Sequence, residues 1–272
     1  MDYTINVKGR LTDLSEPRVM GILNVTPDSF FSDSRKQTEQ EITERAQQIV
    51  AEGATMIDIG ACSTRPEAKL ATEAEEMERL RFCLGVVRRE LPEAVVSVDT
   101  FRPDVARMAV EEFGADIIND VGAPAGCLQV ARQDMFRMVS RLRVPYVLMS
   151  AKPTLREMLL GFAEEVQQLR DLGQKDIILD PGFGFGKTLE QNFEVLRDME
   201  QLQVMELPVL VGVSRKSMIF KALGTTPDKA LNGTTVLNTV ALQKGASILR
   251  VHDVKEAVEC IKLIKLCSLN SE

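Results

Sequence analysis

Histidine is nearly missing from this chain. His252 is its one copy in 272 residues, so a metal centre built from several imidazoles is excluded. Cysteine is sparse: five are scattered along the chain, an odd number with no CxxC pair. That usage argues for a reduced, cytoplasmic protein and against a thiolate zinc site. No basic cluster and no long run of one charge occurs, and the formal net charge is −7. Nucleic acid and an anionic membrane are therefore poor partners. No apolar run reaches the roughly 18 residues that a membrane helix needs. Met1 to Arg10 is polar and lacks the apolar stretch of a signal peptide. No Gly/Ser/Pro-rich linker and no low-complexity tract divides the chain, so residues 1–272 read as one domain, with a motif-bearing core over 19–266.

What is present is a repeated alternation. Apolar residues make up 44% of the chain, enough for a sizeable core. Short apolar runs at Val19–Val25, Met56–Ile59, Val95–Val98, Asp116–Ile118, Tyr146–Met149, Ile177–Leu179, Val209–Val213 and Ile248–Val251 read as strands. Each is followed by an amphipathic helical pattern. Between Thr72 and Leu91 the apolar positions Met77, Leu80, Leu84 and Val87 are spaced three or four apart, and Thr72 with Glu75 has the form of a capping box. Pro103 fits the first turn of the next helix and Gly114 its end. Eight strand-then-helix units in about 250 residues match a single-domain (β/α)8 TIM barrel. An open, doubly wound sheet is the competing arrangement.

One stretch organises the rest. Ile178-Leu179-Asp180-Pro181-Gly182-Phe183-Gly184-Phe185-Gly186-Lys187 places a carboxylate at a strand end and follows it with alternating glycines and phenylalanines. The glycines let a ligand approach the backbone, and the aromatic rings offer faces to it. Thr188 and Gln191 then cap the following helix. In a parallel barrel the site lies at the C-terminal strand ends. Polar groups stand at nearly every one: Asn24, Thr64-Arg65-Pro66, Asp99, Asn119-Asp120, Met149-Ser150, Asp180, Ser214-Arg215-Lys216-Ser217 and Arg250-Val251-His252-Asp253. Arg250 and His252 are two apart on a strand and face one side, an arginine fork beside an imidazole that suits a phosphate or diphosphate. Asp99, Asn119 and Asp180 suit a flat heterocycle with an amino-pyrimidine edge, and Lys216 can bond its carbonyl. A structural salt bridge is the competing account of each carboxylate.

These residues resemble the dihydropteroate synthase family of folate biosynthesis. The resemblance is carried in order by Gly21–Phe30, Ser63–Pro66, Ser97–Thr100, Ile117–Asp120, Asp180–Lys187, Ser214–Ser217 and Arg250–Asp253, and runs from Met20 to Ile264. It implies a pterin-binding barrel that joins 4-aminobenzoate to 6-hydroxymethyl-7,8-dihydropterin diphosphate, gives 7,8-dihydropteroate, and releases pyrophosphate with Mg²⁺. It implies a pterin site of Asp99, Asn119, Asp180 and Lys216, with Met149 and Arg215 packing on the ring. The diphosphate would meet Thr64, Arg65, Arg250 and His252, with Asn24 reaching it through Mg²⁺, and aminobenzoate would lie near Thr64, Pro66, Phe185, Lys216 and Ser217. Lys216, Arg250, His252 and Arg65 would carry the chemistry. The family also implies a homodimer with small-molecule substrates as its only other partners.

Two segments depart from the family pattern. Met149 is followed by Ser150-Ala151-Lys152-Pro153 where the family usually has a histidine and then a glycine. The first loop, Phe30 to Arg35, lacks the usual glycine pair around Asp33. Two other functions fit the barrel: methyl transfer from a folate to a corrinoid protein, and pterin binding without catalysis. Methyl transfer would not need the anion-binding set of Arg65, Lys216, Arg250 and His252.

Overall fold

The computed structural model of the chain describes residues 3–25, 35–62, 70–123 and 131–268. Its strands are β1 (Thr4–Val7), β2 (Arg10–Asp13), β3 (Arg18–Asn24), β4 (Met56–Gly60), β5 (Val96–Asp99), β6 (Ile117–Asp120), β7 (Tyr146–Met149), β8 (Ile177–Asp180), β9 (Leu210–Val211) and β10 (Ile248–Val251). The helices are α1 (Arg35–Ala51), α2 (Glu73–Glu90), α3 (Pro103–Phe113), α4 (Arg132–Leu142), α5 (Leu155–Asp171), α6 (Leu189–Arg197), α7 (Ser217–Ala222), α8 (Leu231–Gln243) and α9 (Val254–Ser268).

Eight strands form one parallel sheet in the order β8-β7-β6-β5-β4-β3-β10-β9. A parallel bridge from Leu179 to Val209 joins the two ends, so the sheet closes into a (β/α)8 barrel. β9 is only two residues long, against the five that its apolar run predicts. Pro208 has no N–H to give the ladder, and beyond Val211 the chain already turns, with Lys216 N donating to Val213 O at 3.1 Å.

Local chemistry fixes the helix ends. Thr72 with Glu75 and Thr188 with Gln191 both form complete capping boxes. Pro103 opens α3 and Gly114 closes it in the left-handed conformation. Among the described residues no helix is long and apolar enough to cross a membrane.

A hairpin precedes the barrel and was not legible as strands. β1 and β2 pair from Thr4↔Asp13 to Val7↔Arg10 around Lys8 and Gly9, both at positive φ, which is the turn a two-residue hairpin favours. Ile5, Val7 and Leu14 are buried against Met20, Met56, Ile117, Val147, Ile178, Leu210 and Ile248. Those last seven residues come one from each of seven barrel strands, so the hairpin plugs the N-terminal end of the barrel. The intervening residues, among them Ile57, Val98, Ile118, Leu148, Leu179 and Leu249, belong to a second core between strands and helices. Strand side chains alternate, so the odd–even phase of every strand is set.

Candidate active site

That phase positions the site. Two residues above the apolar plug, the same inward-facing rows carry Asp58, Ser97, Asn119, Met149, Asp180 and Arg250. Asn24, Gly60 and Asp99 stand one layer higher, at the mouth. The strand pairing sets Asp58 beside Ser97, Asn119 beside Asp99, and Met149 beside Asp180.

Arg250 joins the two sets that the sequence keeps apart. Its Nε donates to Asp58 Oδ2 at 2.6 Å and its Nη2 to Asp99 Oδ2 at 2.7 Å. Asn119 Nδ2 donates to the same Asp58 oxygen at 3.1 Å. Against its own burial, the guanidinium is held above its ordinary pKa by Asp58 and Asp99. Burial pushes the Asp99 carboxyl up, opposed by Arg250 and reinforced by Asp58. Asp58 is the member that sequence reasoning missed. Its signal was a carboxylate inside the apolar run Met56-Ile57-Asp58-Ile59, in phase with the interior.

Several acceptors in this layer have no partner among the described residues. Asp58 Oδ1, Ser97 Oγ and Asn119 Oδ1 are buried and make no hydrogen bond among the described residues. Buried polar atoms are ordinarily satisfied, and three in one layer mark an edge to which a ligand donates. Asp180 faces the same space. Its Oδ1 accepts from Gly182 N at 2.7 Å, and burial raises its pKa against the pull of Lys216.

The glycine–aromatic loop shapes the next wall. Gly182 sits at φ +63, and an added Cβ would overlap Ser150 O and stand 3.0 Å from Met149 Cγ, so a side chain there would displace the loops after β7 and β8. Lys187 Nζ staples those loops by donating to Ser150 O at 3.2 Å, Gly182 O at 3.0 Å and Phe185 O at 3.2 Å. Phe183 is fully buried in the core, so the expectation that it offers a face to a ligand is corrected. Phe185 remains half-buried at the mouth, with Lys216 Nζ 4.7 Å from its ring centroid. Lys216 Nζ also donates to Phe183 O, and burial lowers its pKa to about 8, opposed by Asp180.

Arg215 is not brought to this set. Its φ of 53 lies in the left-handed region, and its guanidinium pairs with Asp253 through Nε at 2.9 Å and Nη2 at 2.8 Å. Its Nη1 donates to Pro227 O and Asp228 O. The expectation that it packs on a bound ring is thus corrected: all three of its nitrogens are engaged in holding the loop after β9. Met149 is buried and faces the interior beside Asp180. Ser217 begins α7 at the mouth, and His252 stands just past β10 against Ser214. Asp120 points outward, where Tyr146 donates to it, and takes no part in the mouth. Thr64, Arg65, Pro66 and Asp33 lie outside the described residues.

Open acceptors deep in the barrel, with the cations Arg250 and Lys216 among them, define a barrel enzyme for a flat, edge-bonded ligand with an anionic end. Comparison narrows that class. The family model described as pterin binding enzyme matches residues 20–252. The dihydropteroate synthase of Escherichia coli strain K12 is 35% identical over 267 residues, 95% of this chain and 94% of that protein. The Xanthomonas albilineans dihydropteroate synthase solved with 4-aminobenzoic acid superposes with a TM-score of 0.88 at 34% identity, covering 100% of both chains. The Coxiella burnetii dihydropteroate synthase in complex with pteroic acid gives a TM-score of 0.84 at 34% identity, covering 97% of this chain and 98% of that one. The chain belongs to the pterin-binding enzyme family.

Proposed function

We propose that this chain is a dihydropteroate synthase, joining 6-hydroxymethyl-7,8-dihydropterin diphosphate to 4-aminobenzoate and releasing pyrophosphate. The observation that carries the reading is the buried layer of Asp58, Asn119 and Asp180, in which Asp58 Oδ1 and Asn119 Oδ1 have no partner among the described residues. A 2-amino-pyrimidinone ring edge supplies adjacent N–H donors for such a row. Lys216 meets the ring carbonyl, and Met149 packs on its face. Asp99 and Arg250 border the ring, and Arg250, His252, Thr64 and Arg65 receive the diphosphate. Aminobenzoate lies along Thr64, Pro66, Phe185, Lys216 and Ser217.

The bond from the pterin methylene to the diphosphate oxygen breaks, and its electron pair leaves with that oxygen. The arylamine lone pair then forms the C–N bond, and the nitrogen loses one proton to solvent. Arg250, Arg65 and His252 stabilise the departing charge, while Asp58, Asp99 and Asp180 stabilise the cationic ring. An arylamine is neutral near pH 7, so no side chain need act as base. The donor set also fits Mg²⁺. The amide oxygen of Asn24 is a hard neutral ligand at the mouth, beside Gly60 and Asp99. Mg²⁺ held by Asn24 would neutralise charge on the leaving group.

We read the protein as a cytoplasmic homodimer. The exposed apolar side chains Leu223, Val236, Leu263 and Leu266 lie on α8 and α9 and just past α7, and support an interface there. Pyrophosphate release by purified protein with both substrates and Mg²⁺ tests the activity. Normal pterin binding without turnover would favour a non-catalytic pterin-binding protein.

A further inference from the structure

His252 is the single histidine of the chain, and it is held by an arrangement that fixes its protons. Ser214 Oγ lies 3.1 Å from His252 Nδ1 and accepts from the His252 backbone N–H at 3.2 Å. Ser214 is buried, and among the described residues its hydroxyl has no other partner. A hydroxyl carries one proton. Were Nδ1 protonated, it would donate to Oγ and leave the hydroxyl proton buried with no acceptor, an unfavourable state. If Oγ donates to Nδ1 instead, every group in the pair is satisfied. The imidazole is then neutral, and its one proton sits on Nε2.

We infer that Ser214 is a positioning residue that locks His252 as the neutral Nε2–H tautomer, so that Nε2 presents a hydrogen-bond donor to the leaving diphosphate. The Arg45 guanidinium braces the same residue from α1, donating to His252 O at 2.6 Å. Burial and the Arg250 cation lower the imidazole pKa to about 4, with Asp253 opposing and Arg215 and Arg45 adding to the fall. The site thus gains a donor without a further buried cation beside Arg250. The role given to the donor rests on the diphosphate reading above; the tautomer itself does not.

A single histidine makes the test unambiguous. In full-length protein labelled with ¹⁵N-histidine, one imidazole spectrum is expected at neutral pH, with an unprotonated Nδ1 and a protonated Nε2. A protonated Nδ1, or an imidazolium, would overturn the inference without any variant being made. Ser214→Ala should mix the tautomers and weaken pyrophosphate binding about 10-fold, with dihydropterin affinity unchanged. Ser214→Thr, which restores the hydroxyl, should recover both the spectrum and the affinity. Unaltered tautomer and pyrophosphate affinity in Ser214→Ala would remove Ser214 from this role. Failure of the unsubstituted protein to bind pyrophosphate would overturn the diphosphate reading, while the spectrum would still decide the tautomer.

Discussion

Ile178 and Asp180 stand two residues apart on β8, as do Ile117 and Asn119 on β6, Met56 and Asp58 on β4, and Ile248 and Arg250 on β10. Each pair shares one strand, one face and one rigid ladder. The lower member packs into the plug beneath the hairpin, where every side chain is apolar. The upper member is polar, and its layer retains the open acceptors of Asp58, Ser97 and Asn119. A step of two residues, about 7 Å along a strand, separates atoms that hold the fold from atoms held in readiness by it. The lower layer is optimised for its own contacts. The upper one is left incomplete by the described residues and so carries a cost in stability that a ligand offsets.

Arg250 is where this division should fail most visibly. It is an upper-layer residue, yet Asp58 and Asp99 both depend on it. Arg250→Ala should lower stability by about 3–5 kcal/mol, as expected when a buried pair loses one partner. Because both acidic partners also border the pterin site, affinity for free dihydropterin should fall, and affinity for its diphosphate, which Arg250 also receives, should fall further. Urea unfolding and calorimetry on the same variant would decide it. Unchanged stability would mean that the carboxylates relax to other partners.

The neighbouring positions on β8 give the sharpest contrast. Ile178→Ala should cost about 2–5 kcal/mol of stability through the cavity left in the plug, while pterin affinity in the folded fraction is retained. Asp180→Asn should do the reverse. It turns one acceptor into a donor facing a donor, and should cost about 1–3 kcal/mol of pterin binding with the thermal midpoint nearly unchanged. Similar losses of both properties in both variants would end the two-layer account.

Much of this was legible because strands have a period of two. Asn24, Asp99, Asn119 and Asp180 each end an apolar run in the right phase, and the barrel follows from counting such runs. Asp58 was not legible because a lone carboxylate in a strand is equally well a solvated edge position. Its burial depends on Arg250, 192 residues away. Arg215 misled for a different reason. At a strand end the direction of a side chain is set by the turn, and the positive φ of Arg215 sends its guanidinium to Asp253. No spacing rule foresees that for a non-glycine residue. The hairpin escaped because four-residue strands around Lys8-Gly9 are shorter than a convincing alternation, although Ile5 and Val7 are in phase.

Gly182 links the layer to its loops, and the expected effect is smaller. Gly182→Ala forces a Cβ against Ser150 O at positive φ, a conformation that costs about 1–2 kcal/mol for an L-residue. Limited proteolysis should show faster cleavage near Lys152 or Lys187, since the Lys187 staple depends on this approach. A wild-type cleavage pattern would mean that the loops shift as one body.

The smallest effect is a pH dependence, and its sign follows from burial. Asp99 has its pKa raised from 3.8 to about 7 in the folded protein. Between about pH 4 and pH 7 the folded state therefore binds more protons at this site than the unfolded state, and its contribution to stability falls as pH rises. His252 opposes this, because its folded pKa is lowered from 6.5 to about 4, so its contribution rises with pH over much of the same window. The raw stability of the protein thus mixes opposing trends, to which the raised Asp180 and the lowered Lys216 also contribute. Asp99→Asn removes only the Asp99 contribution and leaves His252 in place. The stability difference, variant minus wild type, should move in the variant's favour from about pH 5 to about pH 7. Urea midpoints at those two pH values measure it. A difference that stays constant would mean that Arg250 keeps Asp99 ionised throughout, and that this carboxylate meets its ligand already charged.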